Sequence, residues 1–233
     1  MNTMFYFAYG SNLHPLRLQL RVASAKLKGV THISGYQLRF HAQGIDHSAK
    51  CNIIKSGKPD ACVWGAIYEL ESDQREILDS YEGPAYVTET LRINHSGLGY
   101  ECYLYVAKQE HIDDQLEPFD WYKEIVELGA LYQHFPGNYC LALNKISCKE
   151  DSNSERRKLN KKLILDLKKA NQLNVKVAET EILEREHVDK YINQINEILT
   201  ARYQISDYPL AKKVAKVAKQ FAQYTIDALH ELS

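Results

Sequence analysis

Two stretches of this chain hold residue types that could do chemistry: Tyr9-Gly10-Ser11-Asn12-Leu13 and Tyr81-Glu82-Gly83-Pro84. Gly, Ser and Asn favour turns. Successive backbone N–H groups in such a turn converge into a small anion-holding concavity, most effectively when a helix begins just beyond it. Glu82 lies where Gly83-Pro84 must stop a helix. A carboxylate held among Tyr81, Pro84 and Tyr86 is partly removed from water, which suits a general base. Each stretch alone has a plainer reading: most Gly-Ser-Asn turns are only turns, and most loop glutamates are only solvated acids.

The surrounding elements must bring the two together. Met4 to Tyr9 is dense in aromatics and bounded by Gly10, as a buried first strand should be, and Pro15 to Leu20 can open a short helix. Residues 36–40, 50–54 and 63–68 have strand length and content. Residues 86–93 and 100–106 read as a hairpin joined by the five residues His95 to Gly99. Asp73 with Glu76 resembles a capping pair for a helix to Ser80, with Ile77, Leu78 and Tyr81 on its apolar side. A second helix spans Phe119 to Leu128, with Tyr122, Ile125, Val126 and Gly129 on one face, and a third starts near Pro136.

These elements make residues 1–148 an α+β domain on a mostly antiparallel or mixed sheet. Lys149 to Ser154 is polar and aperiodic, and reads as a linker or exposed loop. Residues 149–233 then form a helical C-terminal extension. Leu159, Leu163, Ile164 and Leu167 fit one face, Val188 to Leu199 another, and Leu210 to Ala228 a heptad-like packing seam that could join two copies of the chain. Lys212, Lys213, Lys216 and Lys219 share a side that reads as a solvated face.

At 233 residues, with 45% hydrophobic content, the chain can bury a core without disulfides. A net charge of -1 offers no global attraction to nucleic acid or to an anionic membrane. No basic leader or long apolar span stands out, so a soluble cytoplasmic protein is expected. Cys51, Cys62, Cys102, Cys140 and Cys148 form an odd set without a C-x-x-C pair, against both a disulfide framework and a zinc site. His41 and His47 make a poor metal pair, and no Cys or His lies in a nucleophile elbow.

FAYGSNL near the N-terminus, VWGAIYEL before a helix, YEGPAYVTETLRI, CYLYV on the next strand and WYKEIVELGA together resemble the gamma-glutamyl cyclotransferase family, over roughly residues 4 to 146. The resemblance implies a small mixed β-barrel with packed helices, needing no metal or organic cofactor. It implies a reaction in which a γ-glutamyl group closes on itself to 5-oxoproline and releases an amine. It places the catalytic acid on Glu82, the glycine loop on Tyr9, Gly10, Ser11, Asn12 and Leu13, and pocket aromatics on Tyr103 and Tyr122, with Tyr86 beside them. The loop amides could face either the reacting carbonyl oxygen or the substrate's α-carboxylate. The branch acting on glutathione shows Tyr-Gly-Ser followed directly by Leu, whereas Asn12 is inserted here. The alternative is a non-catalytic module holding a γ-glutamyl or small anionic ligand in the same pocket, with the helical tail contacting a protein partner.

Overall fold

The computed structural model describes residues 2–58 and 60–179. Its centre is the strand Thr3–Ala8 (β1), whose last residues, Phe7 and Ala8, are fully buried. Such a continuous apolar run is what a strand covered on both faces requires. β1 pairs antiparallel with Cys62–Glu71 (β5) and parallel with Leu98–Ala107 (β7). Lys26–Ser34 (β2) adds beyond β5 and Tyr86–His95 (β6) beyond β7, giving the mixed sheet order β2-β5-β1-β7-β6. Tyr36–Gln43 (β3) and Ala49–Lys55 (β4) form a separate two-stranded hairpin.

The sheet curls until its two edges meet. Thr31 on β2 donates its hydroxyl to the Asn94 carbonyl on β6 at 3.1 Å, and Gly29 has no side chain where the His95 ring lies. The barrel-like mixed sheet expected from the sequence is therefore present as a curled half-barrel, with the helices Pro15–Arg21 (α1), Arg75–Glu82 (α2), Asp120–Tyr132 (α3), Gly137–Asn144 (α4) and Ser154–Glu179 (α5) around it.

Several local expectations change. β2 carries no clear sequence signature because it is half-buried along most of its length and a bulge between Leu27 and Gly29 breaks its alternation. The β6–β7 turn has two residues, Ser96-Gly97, both in the left-handed region, because His95 and Leu98 still pair. Asp73 lies in a 3-10 turn and caps nothing; α2 starts at Arg75, and of Ile77, Leu78 and Tyr81 only Leu78 is buried. α3 continues a turn past Leu128, and Pro136 stands as the N-cap of α4.

Lys149 to Ser154 is an exposed loop, as expected, but it is anchored at Lys149 and Asp151. Lys149 exchanges backbone bonds with Pro118 and Asp120, and the Asp151 carboxylate is fully buried. It accepts two bonds from Arg156, both at 2.6 Å, and one from the Trp121 indole at 2.9 Å. The guanidinium contacts hold the Asp151 carboxyl down at about 2. α5 then lays Leu163, Ile164 and Leu167 into the core against α3, while Leu159 is 69% exposed and belongs to the opposite face. The Val188–Leu199 and Leu210–Ala228 faces and the lysine side lie outside the described residues.

Candidate active site

The glycine turn follows β1 directly, and α1 begins at Pro15, so the turn is fixed at both ends. Gly10 does not adopt a left-handed backbone; space is what demands glycine there. A Cβ on Gly10 would lie 2.9 Å from the Cys51 Cβ on β4, so the absence of a side chain lets β4 press against the loop. Cys51 is itself gripped by two tyrosines. Tyr122 on α3 accepts its N–H at 3.1 Å, and Tyr86 on β6 donates to its carbonyl at 2.7 Å.

α2 brings Glu82 to this turn and Gly83 ends the helix with φ +74, a conformation that glycine adopts without steric cost. Asn12 donates from Nδ2 to Glu82 Oε1 at 2.9 Å and to the Tyr6 hydroxyl at 3.1 Å. Arg21, in the last turn of α1, donates from Nη1 to the same Glu82 oxygen at 3.1 Å and to Asn12 Oδ1 at 3.0 Å. The Glu82 and Arg21 side chains are only 17% and 16% exposed. Both contacts fall on Oε1, while Glu82 also borders an open cavity of about 300 Å³. The carboxylate is thus clamped by one oxygen, and its other oxygen carries no hydrogen bond among the described residues.

Of the residues singled out in the sequence, Ser11, Glu82, Tyr86 and Tyr122 line that cavity. Asn12 is buried behind it on Glu82. Tyr9 is buried with its hydroxyl on the Tyr105 carbonyl, and Tyr103 is buried against Tyr6 and carries Arg75 over its ring; neither reaches the cavity wall. The Leu13 amide closes the turn onto the Gly10 carbonyl at 3.0 Å, so the loop donors that remain are those of Gly10, Ser11 and Asn12. The Leu13 carbonyl accepts from Tyr68 at 2.7 Å and from Gln133 at 2.9 Å.

The sequence reading missed Arg21, Asp46 and Lys50, which also border the cavity. Arg21 lies on a helix whose pattern gives no hint of Glu82, and Asp46 and Lys50 arrive through a hairpin turn. All five cysteines are free: Cys51 and Cys102 are buried, Cys148 exposed, and Cys62 and Cys140 lie between. Burial pushes the Cys51 thiol up to about 12, so it is not a nucleophile at neutral pH. His41 is buried on Asp114 and Asn52, a packing role. Among the described residues no group of three or more His, Cys, Asp or Glu could hold a metal, and no helix is long and apolar enough to cross a membrane.

Immediately after the loop, His14 caps α1. Its Nδ1 accepts the Leu16 amide at 3.1 Å, which leaves Nε2 to donate to Asn171 on α5 at 3.0 Å. The ring is fully buried, and burial lowers its pKa from 6.5 to about 3. Because the folded value lies below the unfolded one, this neutral histidine's contribution is intact above pH 6.5 and is lost as pH falls toward 3. The rate of loss is up to about 1.4 kcal/mol per pH unit. Urea titrations of wild type and of His14→Gln between pH 7 and 4 should show that part of the slope disappearing in the variant.

The sequence profile described as "Gamma-glutamyl cyclotransferase, AIG2-like" matches residues 6–123, more than half of the chain. The chain belongs to this family. Among its relatives, the bovine gamma-glutamylcyclotransferase is 29% identical over 153 residues, covering 62% of this chain and 79% of that protein. The human gamma-glutamylcyclotransferase is 29% identical over 146 residues, covering 59% and 75%. A solved structure titled "Gamma-glutamyl cyclotransferase" superposes with a TM-score of 0.60 at 26% identity, covering 69% of this chain and 99% of that one. The matched residues include Ser11, Glu82, Tyr86 and Tyr122, which meet at the cavity. α5 lies beyond the profile, although Asn171 on it holds the histidine next to the glycine turn.

Proposed function

We propose that this chain cyclises a γ-glutamyl amine or γ-glutamyl amino acid to 5-oxoproline and releases the free amine, with Glu82 as general acid/base. One observation carries the reading. Glu82 is fixed by Asn12 and Arg21 through Oε1 at the wall of a cavity of about 300 Å³, which leaves Oε2 for a ligand.

A free α-amino group has a pKa of about 7.7–8.0, so near neutral pH the substrate arrives as an ammonium ion with no lone pair. Glu82 Oε2 takes that proton. The freed nitrogen attacks the γ-carbonyl carbon, and the proton passes from Glu82 to the departing nitrogen as the amide C–N bond breaks. Glu82 then takes the surplus proton from the ring nitrogen and releases it to the free amine, which leaves as an ammonium ion. The same group returns to its starting state in each turn, a role worth about 10²–10⁴-fold. Arg21 and Asn12 keep the carboxylate aimed. Tyr86 and Tyr122 wall the cavity and favour the folded glutamyl conformation that brings nitrogen and carbon to attack distance. The remaining loop amides of Gly10, Ser11 and Asn12 are donors for the developing oxyanion or for the α-carboxylate.

The test is turnover of a panel of γ-glutamyl dipeptides and γ-glutamyl amines, glutathione included. The expected result is 5-oxoproline with an equal amount of free amine. Saturable binding of the panel without product would favour the non-catalytic module instead.

A further inference from the structure

Besides Arg21, the cations Arg17 and Lys50 border the same cavity, and the proposed reaction leaves Lys50 unused. Lys50 on β4 borders the cavity with its ammonium 4.7 Å above the Tyr122 ring, 5.1 Å from the Trp121 ring and 5.7 Å from the Phe119 ring. It donates to Asp46 Oδ2 at 2.7 Å and to the Ser48 hydroxyl at 2.6 Å. Its side chain is only 15% exposed. Asp46 is itself fully engaged, since it also accepts from the Ser48 amide at 3.1 Å and the Ser48 hydroxyl at 2.9 Å. The turn therefore acts as a clamp on the lysine.

An ammonium has three N–H donors, and among the described residues two are used here. Burial lowers the Lys50 pKa, and the Asp46 contact works against that shift. A cation stripped of water gains strongly from one more anionic acceptor. Glu82 is not that acceptor, because it pairs with Arg21. The cavity thus separates two tasks: Arg21 serves Glu82, while Lys50, anchored on its own carboxylate and on three aromatic faces, has one donor left. The γ-glutamyl part needs Glu82 and the loop, so Lys50 falls to the part of the substrate that leaves.

We propose that Lys50 is the specificity-determining residue for the departing group, and that it selects leaving amines that carry a carboxylate. This rests on the cyclotransferase reading of the site. It makes α-amino acids the preferred leaving groups, with Ile45 at the exposed lip of the same cavity beside their side chains.

The experiment compares γ-glutamyl-L-alanine with γ-glutamylethylamine, which has the same leaving group without its carboxylate. Wild type should favour the alanine compound in kcat/KM by about 10- to 100-fold, mainly through KM, as expected for one charge-assisted bond. In Lys50→Met that ratio should collapse toward one, and Lys50→Arg should restore part of it. Lys50→Met leaves Asp46 buried without its counter-charge, so the double variant Lys50→Met/Asp46→Asn, which removes both charges, is measured beside it. A wild-type ratio near one, or a ratio unchanged in the double variant while 5-oxoproline still forms, overturns the role of Lys50 and leaves the cyclotransferase reading standing. Absence of 5-oxoproline from every γ-glutamyl compound with wild type removes both.

Discussion

Glu82→Gln is expected to lower 5-oxoproline release by about 10²–10⁴-fold at an unchanged fold. The substitution is nearly isosteric. An amide oxygen at Oε1 still accepts from Asn12 and Arg21, so the side chain should keep its place at the cavity wall. What is lost is the ability to hold a proton between its removal from the α-ammonium and its delivery to the leaving amine. The effect should appear in kcat more than in KM, because the interaction matters at the transition state. Circular dichroism and the urea midpoint check the fold, and chromatographic quantification of 5-oxoproline checks the rate. A variant that turns over within a few-fold of wild type would remove Glu82 from the mechanism.

The second large effect is on folding. A chain ending at Lys149 lacks Asp151, Leu163, Ile164 and Leu167, all buried in the structure. It strips the cover from one side of α3 and removes the partner of the Trp121 indole. Burying an aliphatic side chain contributes about 1.5–3 kcal/mol, so the three apolar losses alone come to roughly 5–9 kcal/mol. That is comparable to the roughly 5–15 kcal/mol by which a whole domain is stable. The shortened chain should therefore fail to give a soluble, cooperatively melting species. A shortened chain that melts like wild type and forms 5-oxoproline would show that residues 149–233 are a separable appendage.

The parts of the fold legible in the sequence were those with an unambiguous period or a strong punctuation mark. β1 is a continuous aromatic run, Gly83 stops α2 with a backbone only glycine adopts readily, and Pro136 opens α4. β2 was illegible because a half-buried strand with a bulge shows neither alternation nor a continuous apolar run. The Asp73–Glu76 pattern failed because a 3-10 turn moved the helix start to Arg75. Lys149 to Ser154 is the exposed loop its polar composition suggests, but its anchor at Asp151 was not legible. Composition is silent about Arg156, whose two bonds make burial of Asp151 tolerable.

The candidate site was legible where a motif carried it. Glu82, Asn12, Ser11, Tyr86 and Tyr122 do converge, through one clamp and one cavity. Arg21 and Lys50 are residues whose meaning is purely tertiary: nothing in the sequence around either connects it to a carboxylate on another element or to a ring on α3. Gly10, singled out as a turn-forming residue, is needed for another reason: the space that lets Cys51 approach.

The most direct measurement is the fate of the γ-carbonyl oxygen when purified protein turns over a γ-glutamyl dipeptide in water enriched in oxygen-18. Attack by the substrate's own amine predicts unlabelled 5-oxoproline and one equivalent of the released amino acid. Glutamate bearing the heavy oxygen would mean that water was the nucleophile, and would contradict the account.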